Sequence, residues 1–356
     1  MRRGLICRSP VELPDAVLEA RLDRVRAAMR EAQRDALVIY SNITRPAGAS
    51  WLAGFVPYWS EALLIVPREG APYLVAALSL RVKTWIERTS RVGAVFHTPR
   101  IGLKAAQEIA ATQKNAAVGV VNFDGLPAGI AEDLREGGPG LALSDAGALF
   151  AKLRGKADPA DIALAAKAAA IAHRALAAAR GDSLNAMIAA VERQARLLGA
   201  EEIYIAAAPD LAREGRLMRI EGERALGKTF ALRATLAYKG TWVRLVRTFC
   251  ATAIALEAAA RLAEAVAQLP SDRGFVAGFG SWLVEGCRMA QPLDPLLGSR
   301  LGAANPPPPG ALVSVQGALT IAGRTVLVGA PALIGAPGEA ASLLVDPLYD
   351  ETPAQA

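Results

Sequence analysis

The stretch GKTFALRATLAYKGTWVRLVRTF, residues 227–249, carries more information about the fold of this chain than any other. Two runs of mainly apolar and β-branched residues, 229–238 and 241–248, flank the dipeptide Lys239-Gly240. Runs of this composition that are separated by a glycine-containing turn are typical of consecutive β-strands. The stretch therefore predicts two strands joined by a short turn.

The sequence around this stretch predicts a domain of helices and strands. Asp158-Pro159 is a helix start signal, and Gly199 stands where glycine commonly ends a helix. Apolar spacing predicts helices over 161–179, 183–198 and 257–269, and strands over 202–207, 312–315 and 325–328.

The first part of the chain alternates strands with helices. Apolar spacing predicts helices over 16–35 and 103–112, and strands over 36–40, 62–67, 72–76 and 117–121, with a hairpin-like turn between the second and third strands. This alternation predicts an α/β domain. The change to alanine-rich helices then places a domain boundary between residues 150 and 151, giving domains 1–150 and 151–356.

The composition excludes several classes of protein. The chain of 356 residues is too long for one typical hydrophobic core. It contains no run of 18 uncharged apolar residues, which a membrane-spanning helix would need. Three widely spaced cysteines form neither a disulfide framework nor a CxxC zinc site, and two histidines exclude a multi-histidine metal site. We expect a cytoplasmic protein.

The net charge of +6 does not by itself indicate a nucleic-acid partner. Forty lysines and arginines oppose 34 acidic residues, and the basic residues are spread along the chain rather than gathered in blocks. Nucleic-acid binding needs that charge on one face or in a known motif, and the sequence offers neither. We therefore expect neither a nucleic acid nor a membrane as partner.

Several segments resemble the creatinase/prolidase/methionine aminopeptidase family, peptidase family M24, over nearly the whole chain. Residues 24–40 resemble its opening helix and first strand, and 50–55 its tyrosine-leucine-threonine-glycine-phenylalanine segment. Residues 152–158 resemble the start of its catalytic domain, and 227–249 match its most specific run without gaps. The resemblance implies a creatinase-like N-terminal α/β domain followed by a pita-bread C-terminal domain.

Family members hold two divalent cations at this run and three later positions, yet none of the five ligand side chains is present here. The two metal-binding aspartates fall on Arg233 and Arg244, and the ligand histidine falls on Phe279. The two ligand glutamates fall on Gln316 and near Gly329. Arginine stays protonated and repels a divalent cation. We therefore expect no metal and no other cofactor at this site.

Two interpretations of Arg233 and Arg244 are open. Buried like charges need partners, so the arginines either form internal salt bridges or bind an anionic ligand. The acidic residues available for internal salt bridges are Asp210, Glu221, Glu223 and Glu285. In the second interpretation, the guanidinium pair binds a carboxylate or phosphate bidentately.

A metal-free branch of the family, creatinase, hydrolyses a carbon–nitrogen bond in a guanidino acid and is thought to use a histidine base. The matching segment here, 201–210, has no histidine, and arginine and glutamine replace the carboxylates that would grip a cation. An anionic substrate fits better. The candidates for proton transfer are Tyr204, Asp210, Glu214 and Glu221, although Tyr204 is also typical of a core aromatic, and the two glutamates of a solvated strand or turn.

The loop after Phe55 is a further candidate for substrate contact. In creatinase-like dimers this loop reaches the site of the partner subunit, which nominates Trp59 and Glu61, while a loop packed on its own domain explains the same residues equally well. With Arg233, Arg244, Phe279 and Gln316, these two complete the predicted substrate-binding set.

Two functions follow from the resemblance. The first is a metal-independent, hydrolase-like enzyme that acts on a small anionic molecule, with carbon–nitrogen bond chemistry and a homodimeric assembly. The alternative is a non-catalytic pseudopeptidase that forms a heterodimer with an active homologue or binds a peptide. The pita-bread domain in the large subunit of the histone chaperone FACT is a precedent for binding without catalysis.

Overall fold

The computed structural model describes residues 8–42, 45–57, 60–269, 278–286, 300–301 and 307–346. Its internal contacts divide the chain into two compact units, with the division after Arg154. Within the described residues, no helix is both long enough and apolar enough to cross a membrane.

The first unit is built on a six-stranded sheet in the order β4-β3-β2-β1-β5-β6. Its strands are β1 Ala36–Ser41, β2 Ala62–Pro67, β3 Tyr73–Ala76, β4 Ala94–His97, β5 Ala117–Val121 and β6 Ala142–Asp145. Strand β2 pairs antiparallel with β1 and β3, and the remaining pairs are parallel. The predicted hairpin between β2 and β3 is therefore confirmed.

Helices cover both faces of this sheet. They are α1 Asp15–Glu31, α2 Ala47–Ala53, α3 Lys83–Thr89, α4 Ile101–Thr112, α5 Ala128–Gly137 and α6 Gly147–Gly155. One buried apolar cluster joins the sheet to α1, α2, α3 and α6, and a second joins it to α4 and α5. Helix α1 ends before the predicted residue 35 because Gln33 has a φ of 52° and Arg34 donates its N–H to the Met29 carbonyl at 2.8 Å.

The second unit contains one antiparallel sheet in the order β11-β10-β12-β13-β9-β8-β7, with β14 paired to β13. Its strands are β7 Glu202–Ala208, β8 Phe230–Tyr238, β9 Thr241–Phe249, β10 Phe279–Gly286, β11 Arg300–Leu301, β12 Leu312–Ile321, β13 Arg324–Leu333 and β14 Ser342–Leu343. Its helices are α7 Pro159–Ala177, α8 Leu184–Leu197 and α9 Thr252–Ala267.

Local signals explain the helix ends in this unit. The Asp158 carboxylate accepts the N–H of Asp161 at 2.9 Å, and the Asp161 carboxylate accepts the N–H of Asp158 at 3.2 Å, which forms a capping box. Gly199 has a φ of 99°, a conformation that glycine adopts without steric cost. Helix α9 begins at Thr252, five residues before the predicted start at Glu257.

Strands β12 and β13 are longer than predicted. The predictions covered 312–315 and 325–328, whereas the ladder pairs ten residues of each strand, from Leu312 opposite Leu333 to Ile321 opposite Arg324. The apolar pattern is interrupted where Gln316 lies opposite Gly329. Backbone hydrogen bonding carries the strands through this break, and the break forms part of the site described below.

The two faces of the second sheet have different chemistry. One face packs its apolar residues against α7, α8 and α9 in two buried clusters. The opposite face carries a small apolar cluster around Val246 and a group of buried polar side chains. The polar group comprises Arg233, Thr235, Arg244, Glu285, Ser314 and Gln316. This face holds the candidate site.

Candidate functional site

The register of the sheet brings the predicted ligand positions together. Arg233 in β8 lies opposite Val246 in β9, Val246 lies opposite Gly329 in β13, and Gly329 lies opposite Gln316 in β12. Arg244 lies two residues before Val246, so its side chain shares that face. Residues distant in sequence thus lie in one row across four strands.

Direct contacts join these residues to Glu285 of β10. The Arg244 guanidinium forms a salt bridge with the Glu285 carboxylate, and both side chains are 3% exposed. Gln316 Nε2 donates to Glu285 Oε2 at 3.1 Å, and Arg233 Nη1 donates to Gln316 Oε1 at 3.4 Å. We call these four residues (Arg233, Arg244, Glu285 and Gln316) the arginine cluster.

The arginine cluster is positively charged and buried. Two guanidinium groups share one carboxylate, which leaves one net positive charge among the four side chains. Burial, and then the charge of Arg244, lower the pKa of Arg233 to about 10, while Glu285 opposes that change. At neutral pH Arg233 is still charged, but its charge is poorly solvated and incompletely neutralised.

Several buried donors of the cluster find no hydrogen-bond partner within the described part of the chain. They are Nε of Arg233, Nε and Nη2 of Arg244, and the hydroxyl of the adjacent Ser314. A buried donor without an acceptor costs roughly 1–3 kcal/mol, so native proteins supply a partner from protein, water or ligand. The unsatisfied groups here are arranged around positive charge, which suits an anion.

The donor set does not suit a divalent cation. Glu285 supplies the cluster's only carboxylate, Gln316 supplies an amide oxygen, and two guanidinium groups stand where carboxylates would be needed. Among the described residues, no group of three or more His, Cys, Asp and Glu side chains is placed to hold a metal. The residues present therefore do not fit the dinuclear centre that the family resemblance implies.

Gly329 lies beside the cluster, and its lack of a side chain leaves room for Gln316. A Cβ at this position would lie 2.7 Å from the Val315 carbonyl oxygen and 2.9 Å from Gln316 Cγ. Gln316 therefore occupies the space that a side chain at residue 329 would need. A glutamate here would displace the group that connects Arg233 to Glu285.

The predicted proton-transfer residues differ in their position relative to the arginine cluster. Tyr204 in β7 lies opposite Thr235, which itself lies opposite Arg244, so Tyr204 shares the face of the cluster. Asp210 follows β7, where its carboxylate accepts the N–H of Ala212 at 3.1 Å and pairs with Arg213 at 3.5 Å. Glu221 is exposed. Of these three residues, Tyr204 alone is aligned with the cluster by strand register.

Phe279 is placed differently from the substrate-binding role predicted for it. Its ring belongs to the apolar cluster that includes α9, opposite Leu319 and edge-on to Trp282 with a centroid distance of 4.8 Å. The pairing of β10 with β12 shifts register between Phe279 and Ser281, which places Phe279 on the face of Leu319 and Glu285 on the opposite face, where it reaches the arginine cluster. Phe279 is therefore part of the apolar core rather than of the arginine cluster.

The predicted residues of the N-terminal loop lie in the first unit. Glu61 accepts the hydroxyl of Tyr40 at 2.7 Å, and Asn42 donates to that hydroxyl at 3.1 Å. Burial and then Glu61 raise the pKa of Tyr40 to about 12. Glu61 is thus held by its own unit. Trp59 lies outside the described residues.

Sequence reasoning left three residues of this face without a binding role. It named Glu285 only as one of four possible partners of the arginines, and it did not single out Trp242 or Ser314. The available signal was alternation, because Trp242 lies two residues before Arg244 and Ser314 lies two residues before Gln316. The pairing of Glu285 with Arg244 depends on strand order, which no local pattern contains.

Comparison with known proteins supports the fold. The model of the Creatinase/Prolidase N-terminal domain family matches residues 21–155. No curated protein gives a significant match to the sequence.

Solved structures match almost the whole chain at low identity. The prolidase from Pyrococcus horikoshii OT3 is 16% identical, with a TM-score of 0.64, over 94% of this chain and 99% of that one. For the X-Pro aminopeptidase from Thermotoga maritima MSB8 the identity is 13% and the TM-score 0.67, over 91% and 97% of the two chains. The N-terminal domain of the FACT complex subunit SPT16 from chickpea (Cicer arietinum) gives 12% and 0.56, over 94% and 99%. These likenesses confirm the predicted architecture.

Proposed function

We propose that this chain, whose first unit belongs to the Creatinase/Prolidase N-terminal domain family and whose second unit has the pita-bread fold, binds a small carboxylate at the arginine cluster without a metal ion. The observation that carries the proposal is the excess of positive charge beside buried donors that lack acceptors among the described residues. An incoming carboxylate supplies both the missing charge and the missing acceptors.

The charge balance favours a carboxylate over a phosphate. A carboxylate carries one negative charge, which matches the one net positive charge of the cluster. A phosphate dianion would leave an uncompensated negative charge in a buried place, which is costly. The two oxygens of a carboxylate also match the planar arrangement of guanidinium donors.

The catalytic form of this proposal is a metal-independent hydrolase that cleaves a carbon–nitrogen bond of the bound carboxylate. Water adds to the carbon atom of the C–N bond that is cleaved. This bond then breaks with its electron pair moving to nitrogen, and nitrogen takes a proton from the Tyr204 hydroxyl. The tyrosinate regains a proton from the attacking water, so Tyr204 ends unchanged. Its support is the position of Tyr204 on the face that carries Arg244.

The second candidate is a non-catalytic binding subunit, a pseudopeptidase. The observation that favours it is that Glu285 already pairs with Arg244, so the protein itself neutralises one of the two arginines that would bind a ligand. Asp210 is engaged by its neighbours and Glu221 is exposed, so neither supplies a base at the cluster. In this form the chain pairs with an active homologue, whereas the enzyme is a homodimer; both forms are cytoplasmic.

Titration calorimetry of the full chain with propanoate at constant ionic strength tests the binding proposal. We expect wild-type protein to bind propanoate but not methylguanidinium, which carries the opposite charge. Arg233→Met removes a charge-assisted donor and should weaken propanoate binding by about ten- to a hundredfold. Arg219→Met, at an exposed arginine of the same unit, is the matched control and should bind like wild type.

Metal titration and an activity assay separate the remaining alternatives. Stoichiometric binding of Mn²⁺ or Zn²⁺ whose affinity changes in Arg244→Met would place the metal at the cluster and would contradict a metal-free cluster. Release of primary amine from small N-acyl amino acids in the presence of EDTA, lost in Tyr204→Phe, supports the hydrolase. No release, together with a heterodimer in native mass spectrometry of the protein from its source, supports the binding subunit.

A further inference from the structure

An aromatic pair lies beside the arginine cluster, and the proposed anion site makes no use of its rings. The rings of Tyr204 and Trp242 stack at a centroid distance of 5.9 Å and an interplanar angle of 19°. Trp242 is 5% exposed, and Tyr204 is half-buried on top of it. The pair therefore forms a rigid flat surface rather than a single mobile ring.

The register fixes this pair on the face of the cluster. Tyr204, Thr235 and Arg244 lie opposite one another in three neighbouring strands, so the Cα atoms of Tyr204 and Arg244 are about 10 Å apart. Trp242 precedes Arg244 by two residues and is therefore about 7 Å from it along the same strand and on the same face. A ligand that extends over about 7–10 Å can therefore contact both the arginine cluster and the aromatic pair.

Aromatic surfaces beside a guanidinium cluster favour one kind of ligand. The arginines attract the charged end of an anion, while flat rings attract flat apolar groups through area burial and stacking. A purely aliphatic two- or three-carbon acid would occupy the cluster alone. A carboxylate with a ring two or three bonds away would also cover the exposed part of Tyr204.

We infer that the ligand of this site is an aromatic carboxylate, whose carboxylate lies at Arg233 and Arg244 and whose ring stacks on the Tyr204–Trp242 pair. This inference rests on the proposed anion site and adds the class of its ligand. Tyr204 contributes through its ring here, whereas its hydroxyl is the group that the proposed hydrolysis uses. The two contributions can be separated by substitution.

Calorimetry with propanoate and 3-phenylpropanoate tests the inference, because the two acids differ by the ring alone. We expect wild-type protein to bind 3-phenylpropanoate about tenfold more tightly, the effect of one aromatic contact. Tyr204→Phe keeps the ring and should keep this ratio. Tyr204→Leu keeps apolar bulk without an aromatic face and should bring the ratio of the two affinities close to one.

The outcomes distinguish the two proposals. Equal affinity of wild-type protein for both acids, or an unchanged ratio in a folded Tyr204→Leu protein, overturns the aromatic inference and leaves the anion site intact. Binding of neither acid overturns both proposals. If Tyr204→Leu fails to fold, saturation-transfer NMR on wild-type protein decides: stronger saturation of the phenyl protons than of the methylene protons supports the inference, and the reverse overturns it.

Discussion

The two units of this protein differ in where their charged side chains lie. In the first unit, apolar clusters fill both faces of the sheet, and charged contacts lie outside them, as where Arg100 Nε donates to Asp133 at 3.0 Å. Its buried arginine, Arg21, donates to the Trp51 carbonyl at 2.8 Å. In the second unit, three arginines of the sheet are buried: Arg233 and Arg244 on one face, and Arg247 on the other face, opposite Leu232.

The difference shows which part of each unit the fold requires to be apolar. The first sheet is covered by helices on both sides, so charge on either face would meet an apolar layer. The second sheet packs α7, α8 and α9 on one face, which is mainly apolar although Arg247 is buried there, and these helices do not cover the other face. Buried charge there must be balanced by something other than packing, and Glu285 balances only one of the two guanidinium groups.

The largest expected effect comes from breaking the buried pair in the second unit. Arg244→Met leaves the Glu285 carboxylate buried without its cation, and loss of one member of such a pair costs about 3–5 kcal/mol. Urea unfolding of the variant measures this loss. The double variant Arg244→Met, Glu285→Leu removes both members of the pair but leaves Arg233 buried without its nearby carboxylate, so we expect it to recover only part of the lost stability. A single variant as stable as wild type would show that the pair is not buried.

A buried carboxylate of the same unit predicts a smaller effect that depends on pH. Glu201 is 4% exposed and accepts the N–H of Gly240 at 3.0 Å, at the turn between β8 and β9. Burial raises its pKa from 4.5 to about 7. Between these values the folded protein holds a proton that the unfolded chain releases, so stability falls as pH rises, by up to about 3 kcal/mol, and levels off above pH 7.

Unfolding of wild-type protein and Glu201→Gln at pH 5, 6, 7 and 8 isolates this contribution. We expect wild type to lose stability relative to the variant as pH rises across that range. Thr229→Ser, at a buried polar residue that does not titrate, serves as the control and should show no such trend. A difference between wild type and Glu201→Gln that is constant with pH would contradict the raised pKa.

The smallest effect is expected at the surface of the first unit. Arg100 bridges Asp133 and Glu136 with a side chain that is 49% exposed, where water and salt screen the attraction. Arg100→Ala should leave the urea midpoint within error of wild type in 0.15 M salt. A loss as large as that of Arg244→Met would mean that burial does not explain the difference between the units.

Sequence reasoning succeeded where neighbouring residues decide the structure. The capping box at Asp158, the turn at Lys239-Gly240 and the hairpin between β2 and β3 each depend on a few consecutive residues. It failed on the lengths of β12 and β13, since pairing through Gln316 and Gly329 is stabilised by the partner strand rather than by local composition. Alternation alone would place Phe279 on the face of Glu285, whereas the register shift between Phe279 and Ser281, which no local pattern predicts, places it on the opposite face.

The sequence by itself predicted the two-unit architecture and, through the family resemblance, placed Arg233, Arg244 and Gln316 at positions where the family has metal ligands. The architecture follows from local patterning, and the placement of the two arginines follows from gapless matching of residues 227–249. Only the tertiary structure decided that Glu285 neutralises Arg244, that Gln316 connects Glu285 to Arg233, and that Tyr204 and Trp242 lie beside them. The physical reason is that these contacts join β7, β8, β9, β10 and β12, whose register and order arise when the whole sheet assembles.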